Sequence, residues 1–301
     1  MNGPIRLRLP ATSANLGPGF DAVGLALTLS LNIEAAPAGS FYIEATGRNP
    51  EICCSLTGNL LLDTYNQTLA ANGFETPHPL TLQIENQIPI GMGCGSSAAV
   101  RLAGVALASH FGKLDWDRRR ILDEASILEG HPDNTAACWL GGFTVATLDG
   151  GEVHAATIRP APDWRILLVL PQAPLATAEA RAALPATYSR EDAVANIQRV
   201  ALLTAAFALG RGDLLRVAMQ DRLHQPWRAE MCPLLPLLLP LAGEPGIHGV
   251  ALSGAGPAVL LVVDSDAAIP AAGERVSQLT AASGPVELIE CGIDPSGAAF
   301  Y

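Results

Sequence analysis

The segment Pro89-Ile90-Gly91-Met92-Gly93-Cys94-Gly95-Ser96-Ser97-Ala98-Ala99 constrains this chain more than any other. Ahead of it, Leu80, Leu82 and Ile84 alternate with polar neighbours, the period-2 pattern of a strand. Behind it, Ala98 to Phe111 carries small and apolar residues at helical spacing. Glycines between a strand and a helix let backbone N–H groups approach a ligand. The helix N-terminus adds a partial positive charge, so the segment suits phosphate. Ser96 and Ser97 enter the helix where a phosphate-bridging Mg²⁺ can be met. Two other glycine patterns fail. The dinucleotide fingerprint G-x-G-x-x-G would need glycine at Ser96, and the nucleophile elbow G-x-S-x-G finds no closing glycine after Ser97-Ala98. Taken alone, the segment reads equally well as a glycine turn capped by serine.

Composition narrows the chemistry. The chain has 301 residues, about two domains' worth at roughly 150 each. At 49% hydrophobic and 16% charged it can bury sizeable cores. Its formal charge of −11 argues against a nucleic-acid or anionic-membrane partner. Of its basic residues Lys113 is the only lysine, flanked as Phe111-Gly112-Lys113-Leu114. A Walker A loop needs Gly-Lys-Ser/Thr and a protein kinase needs a Val-Ala-Ile-Lys strand; both are absent. Pyridoxal or Schiff-base chemistry would have to use this same lysine. The cysteines (Cys53, Cys54, Cys94, Cys138, Cys232, Cys291) form no C-x-x-C pair and read as free thiols in a reducing compartment. The start, Met1-Asn2-Gly3-Pro4-Ile5-Arg6, has no apolar signal region, and Leu234 to Leu241 is broken by Pro236 and Pro240. A soluble, cytoplasmic protein is expected.

The order of elements predicts an α+β chain in two halves, with helices on mixed or antiparallel sheets. Strands are expected at Ile5–Leu9, Leu25–Ile33, Phe41–Ala45, Leu80–Ile84 and Gly141–Leu148. Helices are expected at Gly58–Asn72, Ala98–Phe111 and Asp117–Leu128. Proline clustering at Pro160-Ala161-Pro162 marks a boundary between residues 1–160 and 161–301. Beyond it, Trp164–Leu170 is a continuous apolar run fit for a central strand. Ser189 with Asp192 opens a helix to about Leu209. Gly249–Val263 is strand, glycine turn, strand; Asp266–Ala282 is a helix and Val286–Glu290 a last strand.

Two further segments accompany the central one: Ser13-Ala14-Asn15-Leu16-Gly17-Pro18-Gly19-Phe20-Asp21 near the start, and Ser253-Gly254-Ala255-Gly256-Pro257 near the end. In this order the three resemble the motifs of the GHMP kinase superfamily, over nearly the whole chain. The resemblance implies an N-terminal ATP-binding domain like ribosomal protein S5 domain 2, and a ferredoxin-like C-terminal domain. It implies ATP held without a lysine in the phosphate loop, by residues 89–99. Met92 and Cys94 depart from the small residue and leucine frequent there, and both can serve as apolar supports.

Within the superfamily the first segment is closest to homoserine kinases, as are Glu129-Gly130-His131-Pro132-Asp133-Asn134, Ala176-Thr177-Ala178-Glu179-Ala180-Arg181 and His224-Gln225-Pro226-Trp227-Arg228. That resemblance implies ATP-dependent phosphorylation of L-homoserine to O-phospho-L-homoserine, on the route to threonine, and a homodimer. Arginine forks suit carboxylates, and Arg181 and Arg228 match the family's carboxylate clamp. Asp21 can pair the ammonium or simply cap the turn after Gly19, Asn15 and Asn134 are expected to orient the hydroxyl, and Thr177 and His131 join the expected substrate set. Thr177 is equally readable as a helix N-cap. Structural hydrogen bonds are the expected role of His224, and of His131 outside that set; Asp133 is expected to cap the helix entered by Asn134. Mg²⁺ falls to Ser97 and Glu129, with Ser96 or Glu124 as substitutes. No strong protein base is expected, and Asp133 is not assigned that role. The rivals are a mevalonate- or sugar-type GHMP kinase and a non-catalytic sensor of the same fold.

Overall fold

The computed structural model describes residues 2–160 and 163–301. Its first sheet contains β1 (Ile5–Asn15), β2 (Gly19–Pro37), β3 (Tyr42–Gly47), β4 (Leu80–Asn86), β5 (Phe143–Asp149), β6 (Glu152–Ile158) and β11 (Ala299–Phe300). The main path runs β11-β1-β2-β4-β3, while β5 pairs with β2 and with β6. Only β3 and β4 run parallel in this sheet. The long β2 serves two neighbours: Val23–Leu25 pairs with β5 and Leu31–Pro37 with β4.

The alternation read from the sequence sets which face is covered. Leu25, Leu27, Leu31 and Ile33 are buried, whereas Thr28 and Glu34 are exposed. The buried face packs against Leu61, Tyr65 and Leu69 of the Leu60–Ala71 helix and Leu102, Val105 and Phe111 of the Ser96–Gly112 helix. Helices Arg118–Glu129 and Asp133–Leu140 complete that layer through Ile121, Leu122 and Trp139.

The second sheet holds β7 (Arg165–Leu170), β8 (Ile247–Leu252), β9 (Val259–Val263) and β10 (Glu287–Cys291), in the order β10-β7-β9-β8 and antiparallel throughout. This is the 4-1-3-2 strand order of a ferredoxin-like sheet. The unbroken apolar run of β7 has a direct cause. Ile166, Leu168 and Leu170 join the core shared with the first sheet, while Leu167 and Val169 face a second core with Leu234, Leu238 and Val276. Both faces of this strand are therefore dry.

Several expected elements are longer than their apolar patterns. β1 continues through Asn15, so the first glycine-rich segment begins inside a strand. The central helix starts at Ser96, two residues before the expected Ala98. Asp117 caps its helix by accepting from Arg120 N–H at 2.7 Å, and Ser189 accepts from Asp192 N–H at 3.0 Å. Two strands carried too little pattern to be expected: β6, mostly exposed beyond a Gly150-Gly151 turn, and the two-residue β11. The last two residues of Pro160-Ala161-Pro162 lie outside the described residues. One helix, Arg190–Leu209, has the length and hydropathy of a membrane span by those measures alone. Its Leu203, Ala206 and Phe207 nevertheless pack into the shared core.

Candidate active site

The three glycine-rich segments meet in space, although more than 150 residues separate the second from the third. Thr12 N–H donates to the Cys94 carbonyl at 3.1 Å, and Gly254 N–H to the Ala14 carbonyl at 3.1 Å. The Ser253 hydroxyl donates to the Gly93 carbonyl at 2.8 Å and lies 2.8 Å from Ser13 Oγ. Two glycines have a steric reason. At Gly93 (φ +76°) a Cβ would sit 2.1 Å from the Ser253 carbonyl oxygen; at Gly95 (φ +71°) it would sit 1.9 Å from Thr12 Oγ1. Only glycine fits where left-handed backbone meets another chain segment this closely. Met92 and Cys94 pack into the core beneath the loop, and Ala98 and Ala99 are fully buried. Those two side chains therefore support the loop from beneath, and only their backbone is placed to meet a ligand at the helix N-terminus.

One pocket collects the rest. Asn15, Asp21, Gly91, Gly93, Gly95, Ser96, Ser97, Glu129, His131, Asn134, Thr177, Arg181 and Arg228 all line it. Asn15, in a left-handed conformation that asparagine tolerates, donates from Nδ2 to the Gly254 carbonyl at 2.9 Å and accepts from Asp21 N–H at 3.1 Å. Asn134 Oδ1 accepts from the Thr12 hydroxyl at 2.7 Å. The Asp133–Leu140 helix begins at Asp133 itself, whose carboxylate accepts from Asn134 N–H at 2.7 Å and from His131 Nδ1 at 2.6 Å. Thr177 opens the Thr177–Ala182 helix, but Ala176 is its N-cap and no side chain caps it. The capping reading of Thr177 is thus replaced by a pocket-lining one.

The two arginines stand in different surroundings. Arg181 is half-buried and bidentate on Asp21, at 3.0 and 2.6 Å. That hydrogen bond, against the opposing cost of burial, holds its guanidinium above the ordinary value. Arg228 is 1% exposed, so it is no surface arginine. Burial pushes its pKa down, and Arg181 pushes it further the same way. Its Nε donates to the Ala180 carbonyl at 3.1 Å. Both guanidinium carbons stand 5.5 Å from the Phe20 ring centroid, so one aromatic ring meets two cations.

On the opposite wall, the Ser97 hydroxyl donates to Glu129 Oε2 at 2.9 Å. A hydroxyl and a carboxylate are hard oxygen donors, and this donor set fits Mg²⁺. Glu124 does not compete: it pairs with Arg120 on the same helix and lines no part of the pocket. Arg101 escaped the sequence reading, yet its Nε stands 2.7 Å from Glu129 Oε2. The available signal was its spacing, one helical turn after Ser97 and on the same face. Thr12, Phe20 and Arg48 were likewise missed. Arg48 pairs with Glu287 beside a second cleft lined by Asn49, Ile52, Ile90, Met92 and Leu175, which meets the main pocket at Gly91.

Comparison with known proteins agrees with this geometry. Residues 59–142 match the family described as GHMP kinases N terminal domain, and 203–281 match GHMP kinases C terminal. A homoserine kinase of Solibacter usitatus is 43% identical, covering 98% of this chain and 97% of that protein. The chain belongs to the homoserine kinase family. Another homoserine kinase, from Desulfitobacterium hafniense, is 39% identical over 98% of this chain and 99% of its own length. The fold of this family member is also that of the crystal structure of homoserine kinase from Cytophaga hutchinsonii. That structure has a TM-score of 0.82 at 23% identity, covering all of this chain and 98% of the other.

Proposed function

We propose that the protein transfers the γ-phosphoryl group of ATP to the side-chain hydroxyl of L-homoserine, giving ADP and O-phospho-L-homoserine. The observation that carries this reading is one pocket with a backbone-lined phosphate cradle on one wall and amino-acid-recognising charges on the other. ATP lies with its phosphates on Gly91–Ser97, where loop amides and the helix N-terminus meet negative charge, and its base in the adjoining cleft. Ser97 and Glu129 are the residues that would hold Mg²⁺, and the ion would supply neutralisation of charge on the terminal phosphates.

The substrate is a zwitterion, and the site already contains its counterpart. Asp21 and Arg181 bind each other; on substrate binding Asp21 takes the ammonium, while Arg181 and Arg228 take the carboxylate. The exchange leaves both Asp21 and Arg181 paired, before and after, so neither is stranded unpaired in a half-buried site. Asn15 and Asn134 are held by Gly254, Asp21 and Thr12, and each orients the reacting hydroxyl with its remaining hydrogen-bonding capacity. Phosphoryl transfer has a loose transition state, so positioning and charge neutralisation dominate. No protein base is required. Asp133 is 2% exposed and already accepts from His131 and Asn134, which supports a structural role. Residues 1–160 then supply the phosphate loop and 161–301 both arginines.

A coupled ADP-release assay with L-homoserine, mevalonate and galactose tests this. Turnover is expected with homoserine alone. Faster turnover with either competitor, or none with any, overturns the reading.

A further inference from the structure

His224 lies apart from the reacting groups, completely buried. Its ring has a partner at each nitrogen. Nδ1 is 3.1 Å from Arg228 Nη1, and Nε2 is 2.7 Å from the Gly17 carbonyl oxygen. A guanidinium has no acceptor, so Nδ1 must be the unprotonated nitrogen and Nε2–H donates to Gly17. The tautomer is thereby fixed. Burial favours the neutral ring as well, pushing its pKa below the ordinary histidine value. The nearby Asp221 does not alter this assignment. Its carboxylate lies 3.7 Å from Nε2 and already accepts from the backbone N–H groups of Leu223, His224 and Gln225 and from Asn196 Nδ2.

The ring therefore ties together two pieces of the pocket. Gly17 belongs to the segment that carries Asn15 and Asp21, while Arg228 reaches the pocket from the opposite half of the chain. Phe20 stacks on His224 at 5.3 Å between ring centroids and lies beneath the guanidiniums of Arg181 and Arg228. The other Arg228 contacts, from Nε to the Ala180 carbonyl and from Nη1 to the Gly254 carbonyl at 3.3 Å, leave Nη2 as the end with no partner among the described residues. A fork held at Nε and Nη1 presents Nη2 to a ligand in one orientation only.

We infer that His224 is a positioning residue for amino-acid recognition: as the neutral Nε2–H tautomer it holds Arg228 and the Gly17 segment in mutual register. The inference rests on the substrate reading given above. Removing the ring should raise KM for homoserine by about 10- to 100-fold, the worth of one hydrogen bond to a charged group, and leave KM for ATP within about twofold.

The test compares His224→Ala, His224→Asn, Arg228→Leu and the His224→Ala/Arg228→Leu double variant, with KM measured for both substrates. Asparagine places an amide oxygen near the Nδ1 position, so His224→Asn should recover most of the homoserine KM. The double variant should bind homoserine no worse than Arg228→Leu, because the ring acts through the guanidinium. Nitrogen-15 NMR of the wild-type histidines should show the Nε2–H form persisting through the range where an ordinary histidine titrates. An unchanged homoserine KM in His224→Ala, additive losses in the double variant, or an Nδ1–H tautomer would each overturn the inference. Should the wild type not turn over homoserine, the substrate reading falls, and the NMR signature still decides the contact by itself. An Ala variant that does not fold leaves that signature and the Asn variant to decide.

Discussion

The phosphate wall and the amino-acid wall of the pocket are built from different materials. The first is backbone: Gly91, Gly93 and Gly95 all have positive φ, and the third segment closes against the loop through main-chain and hydroxyl contacts. The second is side-chain charge: Asp21 on Arg181, Arg228 on carbonyls and His224, His131 on Asp133. A backbone cradle tolerates no added atom, so it should fail abruptly. A set of charge pairs loses one partner at a time and should fail by degrees. The contrast also explains how a kinase manages with one lysine. In the proposed mode of binding, amides and a helix terminus would do the work that a lysine does in other phosphate loops.

The largest effect is therefore expected at Gly95. Gly95→Ala puts a Cβ 1.9 Å from Thr12 Oγ1 in a left-handed conformation. The strain of about 1–3 kcal/mol for such a residue adds to the displacement of Thr12, which holds Asn134. We expect kcat/KM for ATP to fall about 10³-fold, equivalent to roughly 4 kcal/mol of barrier. Gly91→Ala is the internal comparison, since its Cβ meets only Pro174, at 2.9 Å. A milder loss there would locate the abrupt failure at the loop's contact with Thr12. If Gly95→Ala stays within tenfold of wild type, the backbone-cradle account breaks.

Arg228→Leu comes second. It removes the proposed charge-assisted contact to the substrate carboxylate, and we expect KM for homoserine to rise about 10²-fold with KM for ATP nearly unchanged. A parallel rise in both constants would show that the two walls are not separable. Third, and smaller, is Asp133→Asn. If Asp133 only braces His131 and Asn134, kcat should fall less than about tenfold; a 10³-fold loss would make it the base.

How much of this could be read from residues alone follows the same division. The backbone wall was legible because glycine is the one residue whose presence reports φ and close approach, and three such segments in order are specific. Charge identities on the other wall were legible too, but their pairings were not. Nothing in the sequence says that Asp21 and Arg181 bind each other, or that Arg228 is buried instead of solvated. Those facts depend on the return of residues 177–181 and 224–228 against Phe20, a contact across about 160–200 positions. Arg101 was missed although its helical spacing from Ser97 was visible, because a helix face shows neighbours only once a ligand role has fixed which face matters. The helix cap at Ser189 was readable; β11 was not, since two residues carry no periodicity.

The smallest expected effect is a pH dependence confined to the amino-acid wall. Burial alone would lower the pKa of His131, but the hydrogen bond and charge of Asp133 outweigh it, and the net shift is upward. A raised value in the folded state means that the folded protein holds the proton more tightly than the unfolded chain. The resulting stability is fully present below the ordinary histidine value of about 6.5 and is lost as pH rises through the higher folded value. The urea midpoint should accordingly fall between about pH 6 and about pH 8, and His131→Gln should flatten that fall. Gly95→Ala should leave the slope in place, because the only titratable side chain in Gly91–Ser97 is Cys94, whose thiol burial pushes to about 12. A slope that survives His131→Gln would assign the proton elsewhere and detach this pair from the wall it is taken to brace.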